Sequence, residues 1–561
     1  MIQQLDIKGF RSFSQESLQK ITLPPFAVIV GENDSGKSNI LRAIEFVLNP
    51  SPKDIRREDF NIRRSRTNGG KISDKKAVQI EIVLHLSDKK YLPSEFKSQE
   101  YFSVNAGNKF ELKCVASGHD QHTYRKDYYL NNVAIDSADV EKLLGNLAFK
   151  VTPAIRDATY LNTLRELLPK TRSSTIRQMI SDISRQICEK LDSAKRIIET
   201  ASDSDSVSIR PRIDVSDFIN DLDFDFSITK DKIPLPLSFH GQGMASKIIL
   251  SLLIARKGLG IGIEEPEIHL HPNLLRELVF LCEKWAKKGK QILIVTHSPY
   301  LLNYTSIENV LFARKENNHT RVRPIVPAAE EMRQKIQNDI FFKNRKGEIL
   351  FSKGVIFVEG VYDRQVLSAV DANLPPSDQT FANGITIVEV GSDTNFPCYV
   401  ELSACASIPW IVIADKKAVF VPENDAPGNF CHNFLSKHLQ KASIDGLVGQ
   451  IRKGRKYLGA QRKINAELRK MKGQVYILSG NDMSETLMGI IDRSTKENVL
   501  KELYRDFGGA NPAANLTEIK DLIKTRVKRK KEEMAHVARK MGAGNELYNT
   551  LRKAETYLRD I

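Results

Sequence analysis

Cysteine is scarce in this chain. The six residues Cys114, Cys188, Cys282, Cys398, Cys405 and Cys431 are scattered without a CxxC. That spread argues against a disulfide framework and fits thiols kept reduced in a cytosol. Cys431-His432 with His438 has no ligand-spaced partner nearby, so no zinc site is expected there. Long apolar runs are also missing. Ile248 to Ala255 is among the longest, far below the roughly 20 residues of a membrane span. The first residues lack a basic start followed by an apolar stretch, and no internal repeat is evident. A cytoplasmic chain with no membrane partner is the expectation.

Positive charge is in excess. The 561 residues carry 84 Lys+Arg against 69 Asp+Glu, a formal +15. Such a balance favours a polyanion, with DNA the leading candidate. Basic clusters lie at Arg452, Lys453, Arg455, Lys456, Arg462 and Lys463, and again between Lys524 and Lys540. The length predicts two or three domains.

The most informative segment is Gly31-Glu-Asn-Asp-Ser-Gly-Lys37-Ser38, which follows the apolar run Phe26–Val30 and precedes a helical pattern from Asn39. Strand, glycine-rich turn and helix in that order make a P-loop. Main-chain N–H groups close on phosphates at a helix N-terminus, a lysine adds charge, and a hydroxyl reaches Mg²⁺. Gly31, Asn33, Gly36, Lys37, Ser38 and Asn39 are therefore candidate ATP contacts, with Ser38 also a candidate metal ligand.

Farther on, Leu259-Gly-Ile-Gly-Ile-Glu264-Glu265-Pro-Glu267 reads as an apolar strand tipped with acids. Glu264 is placed to order a Mg²⁺ shell, and Glu265 to polarise attacking water. Gln291 to Ser298 reads as another strand, ending in Thr296-His297-Ser298, where His297 would sense the γ-phosphate. Upstream of both, Gly241 and Gly243 precede an apolar helix, a second anion-seeking N-terminus suited to completing a neighbouring subunit's site. Residues 161 to 201 carry a helical apolar stripe, followed by the polar run Ser202 to Ser208.

A new strand at Gly354–Glu359 opens a second half in which strands and helices alternate, predicting a parallel α/β sheet and a boundary near 345. Residues 520 to 561 read as charged helix. Glu359-Gly-Val-Tyr-Asp363 puts one carboxylate at a strand end and a second on the next helix, able to share a hard cation. Pro409 to Asp415 supplies another strand ending in an acid.

These motifs resemble the ABC-type ATPases of the structural-maintenance and RecF-like group, and most closely the overcoming-lysogenisation-defect (OLD) family. The likeness extends to the large subunit of Gabija-type anti-phage systems. The correspondences run through Gly31 to Ser38, His240 to Lys247, Ile261 to Glu267, Thr296 to Ser298, and the TOPRIM-like Glu359 to Asp363. The resemblance implies an α/β chain: an ABC-type ATPase head over 1–345 with a helical dimerisation insertion at about 155–205, then a TOPRIM domain with basic C-terminal helices over 346–561. It further implies ATP between two subunits of a homodimer or larger assembly, DNA cleavage with Mg²⁺ or Mn²⁺, a possible partner defence protein, and a basic residue from the C-terminal helices, Lys531 or Lys540, beside the cleaved phosphate.

Two departures stand against that pattern. Where the family carries Asp-x-Asp, this chain reads Asp415-Lys416-Lys417, and its third acidic element reads Asp482-Met483-Ser484-Glu485, with the glutamate lost or displaced by one. An ammonium fixed about 4 Å from a divalent ion costs on the order of 8 kcal/mol at an effective dielectric near 20. Glu359, Asp363, Asp415, Asp482 and Glu485 remain as candidate metal ligands, with Glu359, Asp415 and Lys531 as candidate catalytic groups. Two expectations stay open: an ATP-dependent DNA endonuclease, or a DNA-binding ATPase switch whose TOPRIM fold no longer cuts.

Overall fold

The computed structural model describes the chain except for residues 52–54, 62–78, 99–100, 103–106, 121–122, 146, 153–226, 231–232, 237–249, 251–257, 269, 422–425, 428–434, 436–438, 441–442, 444, 446–457, 481 and 512. The insertion expected at about 155–205, Gly241, Gly243 and the Arg452–Lys456 cluster lie outside the described residues. The rest forms two compact units, Met1–Pro324 and Ile325–Ile561. Among the described residues no helix is long and apolar enough to cross a membrane.

The first unit is built on two six-stranded sheets. One is antiparallel, in the order Gln19–Thr22, Ile2–Lys8, Gln79–Leu86, Phe110–Asp120, Thr123–Leu130, Val133–Ile135. Along Gln79–Leu86 buried and more exposed residues alternate, as a sheet with one covered face requires.

The other sheet uses β1 (Phe26–Val30), β2 (Phe149–Thr152), β3 (Gly260–Glu264), β4 (Gln291–Val295), β5 (Val310–Glu316) and β6 (His319–Pro324). Its order is β6-β5-β1-β4-β3-β2, parallel throughout except for the β5–β6 hairpin, which turns on Asn317 and Asn318 at φ 51° and 63°. Every residue of β1, β3 and β4 is buried, the signature of central strands covered on both faces. Helix α1 (Lys37–Leu48) packs against both sheets through Ile40, Leu41, Ile44 and Val47, spaced at three and four residues. Because β1, β3 and β4 are adjacent and parallel, the segments leaving their carboxyl ends share one edge.

The second unit carries a four-stranded parallel sheet. Its strands are β7 (Gly354–Val358), β8 (Ile385–Glu389), β9 (Trp410–Ala414) and β10 (Gly473–Ile477), in the order β8-β7-β9-β10. Helix α2 (Val361–Asp371) follows β7, and α3 (Met483–Arg493) follows β10. The carboxyl-terminal segment, expected as charged helix, is divided into α4 (Leu516–Arg529), α5 (Met534–Met541) and α6 (Glu546–Asp560). Gly542, at φ 62°, ends α5 in a conformation that favours glycine. Apolar faces of α4, α5 and α6, including Ile523, Val537 and Leu551, join the core beneath α2 and β7.

The unit boundary falls earlier than the expected position near 345. Glu330–Lys335 continues into a π-helical stretch, Ile336–Lys343, whose Ile336, Ile340 and Phe341 are fully buried. That stretch packs on helix Phe396–Cys405 of the second unit. Its polar sequence hid these three anchors.

Candidate functional site

The turn from β1 to α1 is held by close contacts that admit no side chain at two glycines. Gly31 has φ 148°, and a Cβ there would sit 2.0 Å from the Ala313 carbonyl oxygen. Gly36, the residue capping α1, has φ 91° and would meet Thr320 Oγ1 at 2.1 Å. Lys37 is 4% exposed, and its ammonium donates to the main-chain carbonyls of Gly31 (3.1 Å) and Glu32 (2.6 Å). Burial pushes its pKa down to about 8, against the pull of Glu265, Asp34 and Glu32. A desolvated ammonium cradled by carbonyls is poised for an anion. Ser35 Oγ beside it is buried without a hydrogen-bond partner. Ser38 is half-buried on the first helical turn and Asn33 is exposed at the tip. Asn39 donates to Ser12 Oγ at 2.8 Å, which ties the helix start to the loop after Lys8.

Glu264 ends β3, and its carboxylate meets Arg42 of α1 at 2.9 Å. Gly262, two residues earlier on the same face, leaves room for Leu41 there. Glu265 turns away at φ 43°, a left-handed conformation that a glutamate holds only under constraint. Its Oε1 lies 3.7 Å from His297 Nε2. Burial and then Lys37 push the His297 pKa below its ordinary value despite Glu265 and Glu267. Lys37, Glu265 and His297 thus lie near one another beyond three adjacent strand ends.

Glu267 had no role in the sequence reading. Its Oε1 accepts from Thr296 Oγ1 and from the His297 main-chain N–H, both at 2.8 Å, while its Oε2 is buried without a partner. A carboxylate two residues after a catalytic-type acid was the available signal. His271 caps the helix Pro272–Lys287, its ring nitrogen accepting from Asn273 N–H at 3.4 Å, in line with a helix start. His269 lies outside the described residues.

In the second unit, Glu359 leaves β7 and Asp415 leaves β9, the strand beside it. Asp363 on the first turn of α2 folds back to accept from Gly360 N–H at 2.9 Å. Burial, offset in part by that hydrogen bond and reinforced by Glu359, pushes Asp363 up to about 6. Burial, then Asp363 and Glu359, push Asp415 up to about 8. Asp482 caps α3, accepting from Ser484 Oγ at 2.5 Å and Glu485 N–H at 2.9 Å. Although burial raises it, those bonds with Lys531 and Lys417 hold Asp482 below the usual carboxylate range. Lys417 Nζ stands 3.5 Å from Glu359 Oε1.

Other parts of the reading separate here. Glu485 is exposed and gives its N–H to Asp482. Of the two lysines considered, Lys531 bears on Asp482, whereas Lys540 pairs with Glu502 and Asp506. Glu546, unmarked in the sequence, fixes the loop before Asp482 by accepting from Ser479 N–H at 2.7 Å and Ser479 Oγ at 2.6 Å.

Among the described residues no three histidine, cysteine, aspartate or glutamate side chains converge as a metal cage. The donor set nevertheless fits one hard cation. Mg²⁺ is ordinarily held by one or two carboxylates and keeps several waters. Glu359 Oε2 is buried without a hydrogen-bond partner, and like charges crowd Asp363 and Asp415.

Comparison with known proteins finds one domain family over each unit. The AAA ATPase domain family matches residues 1–150 and 121–302, and the overcoming lysogenization defect protein-like TOPRIM domain matches 350–416. The chain belongs to the AAA ATPase domain family, whose model matches more than half of it, and it carries a TOPRIM domain of the overcoming lysogenization defect protein-like type. An OLD nuclease of Thermus scotoductus is 26% identical over 467 residues, covering 74% of this chain and 82% of that protein. Endonuclease GajA of Bacillus cereus is 24% identical over 280 residues, 43% of this chain and 40% of the relative. Among solved structures, the Smc head bound to the C-winged helix domain of ScpA covers 57% of this chain and 97% of its own, at 17% identity and a TM-score of 0.40. The OLD-type TOPRIM match includes Glu359, Asp363 and Asp415 and stops before Lys417.

Proposed function

We propose that this chain is an ATP-controlled, metal-dependent DNA endonuclease of cytoplasmic anti-phage defence, working as a homodimer or larger assembly. The first unit, Met1–Pro324, would serve as the ATPase part, with the segment at about 155–205 as its dimerisation insertion and Gly241 and Gly243 completing a neighbour's nucleotide site. Lys37, with Gly31, Asn33, Gly36 and Asn39, would bind the triphosphate, and Ser38 would hold its Mg²⁺ together with Glu264 once released from Arg42. Glu265 would orient attacking water, and His297 would sense the γ-phosphate.

In the second unit, Glu359 and Asp415 would hold Mg²⁺ or Mn²⁺, with Asp363 and Asp482 around it and Glu485 outermost. A bound divalent ion supplies Lewis acidity toward a phosphate oxygen. Lys531 would stand beside the scissile phosphate, stabilising charge as it develops there. The observation carrying this reading is the partnerless, buried Glu359 Oε2 at a strand end shared with Asp415. Supercoiled plasmid incubated with Mg²⁺ or Mn²⁺ tests it: the native chain cuts and Glu359→Ala does not.

A second reading has its own observation. The Lys417–Glu359 ion pair supports a DNA-binding ATPase switch that acts through a partner protein with a non-cutting TOPRIM fold. Plasmid left intact by both proteins would favour it.

A further inference from the structure

We propose that Lys417 is the resident cation of the TOPRIM cluster, standing where a second divalent ion would otherwise be needed, so that the site takes a single ion. The inference rests on reading the second unit as a metal-dependent site, and it deepens that reading.

Charge counting carries it. Four carboxylates act on one another here: Glu359, Asp363, Asp415 and Asp482. Among the described residues, the lysines that face them are Lys417 and Lys531, the latter acting on Asp482. With every carboxylate ionised, two negative charges are left over, which one divalent ion neutralises and two would overshoot.

Geometry says where the lysine sits. Lys417 comes from the first turn after β9, two residues beyond Asp415, and its ammonium reaches Glu359 Oε1 at 3.5 Å. The other oxygen of the same carboxylate, Oε2, is buried and unpartnered. One carboxylate therefore offers one oxygen to the fixed cation and keeps the second for an exchangeable one. The main chain behind Lys417 is held in place: Lys416 N–H donates to Gly480 O at 3.3 Å. The Lys417 side chain is 48% exposed, so a compact ammonium on a long stem stays at the cluster without being sealed into it.

A second divalent ion within about 4 Å of that ammonium meets a repulsion of several kcal/mol at an effective dielectric near 20. Removing the ammonium therefore opens the second place, and replacing it with a carboxylate both opens and ligates it.

Mn²⁺ titration of the nucleotide-free full chain tests the assignment, with stoichiometry from calorimetry and coupling from electron paramagnetic resonance. Ions are assigned to the cluster as those lost in Glu359→Gln. The native chain is expected to show one such ion with an isolated six-line signal. Lys417→Asp is expected to show two with a spin-coupled signal, and Lys417→Met keeps the side-chain bulk while removing the charge. Circular dichroism confirms folding, and Lys417→Met decides if Lys417→Asp does not fold. Two coupled ions in the native chain would overturn the assignment while leaving metal-dependent cutting untouched. A single uncoupled ion in folded Lys417 variants would also overturn it. No Glu359-dependent ion in any protein would remove this inference and the nuclease reading together.

Discussion

Glu267 Oε1 accepts the main-chain N–H of His297 at 2.8 Å, so the residue that follows Glu265-Pro266 fixes the histidine facing Glu265. The same oxygen takes Thr296 Oγ1 at 2.8 Å, making one carboxylate the anchor of the strand end. Hydrogen bonds to a charged group contribute about 1.5–3 kcal/mol. Glu267→Ala should therefore lower ATP turnover about 10- to 100-fold while nucleotide binding stays within a few-fold, measured by phosphate release and fluorescent-nucleotide titration. Glu265→Gln should instead bind ATP normally and fail to turn it over. Normal turnover by that variant would remove Glu265 from the role of general base.

Lys37 gives the nucleotide site a pH signature. Without nucleotide its pKa sits near 8, and a bound triphosphate raises it by stabilising the ammonium. Binding thus takes up protons above pH 8, and affinity should fall as pH rises through that point. Calorimetry in buffers of different ionisation enthalpy checks the proton uptake. Lys37→Ala should lose binding at every pH, leaving nothing to titrate.

Asp415 gives the second unit the opposite trend for metal. Its pKa of about 8, and that of Asp363 near 6, mean the metal-free fold holds protons that an ion must displace. Mn²⁺ affinity should rise with pH from about 6 to 8, with proton release. The sign for stability follows from the same shift. A folded pKa above the ordinary 3.8 means the folded state binds more protons than the unfolded one between about pH 4 and 8. Metal-free stability should therefore decline as pH rises across that window, and Asp415→Asn should flatten the decline. Thermal melts in EDTA provide the measurement; a pH-independent difference between native and variant would contradict it.

Much of this architecture was legible because it is written in contiguous residues. Phe26–Val30, Ile292–Val295, Gly354–Val358 and Trp410–Ala414 are unbroken apolar runs followed by polar residues, and each lies in a buried parallel strand. Gly31, Gly36 and Lys37 announce a phosphate loop through residue type alone. The burial of Ile336, Ile340 and Phe341 in the second unit was not legible, because their spacing fits a π-helical stretch and their neighbours are polar. Arg42 on Glu264, Glu267 on His297 and Glu546 on Ser479 were also invisible. Each joins residues separated by at least 30 positions, and no local pattern encodes such a meeting.

By itself the sequence determined which candidate groups lie just beyond apolar runs, namely Lys37, Glu265, His297, Glu359 and Asp415, and local order fixes that. Only the tertiary structure decided which of them meet. Strand order places β1, β4 and β3 side by side, and β7 beside β9, so charges far apart in the chain come within a few ångströms. Charges at that range act on one another directly, which is why Lys417 beside Glu359 is an electrostatic fact of the fold and only a substitution in the sequence.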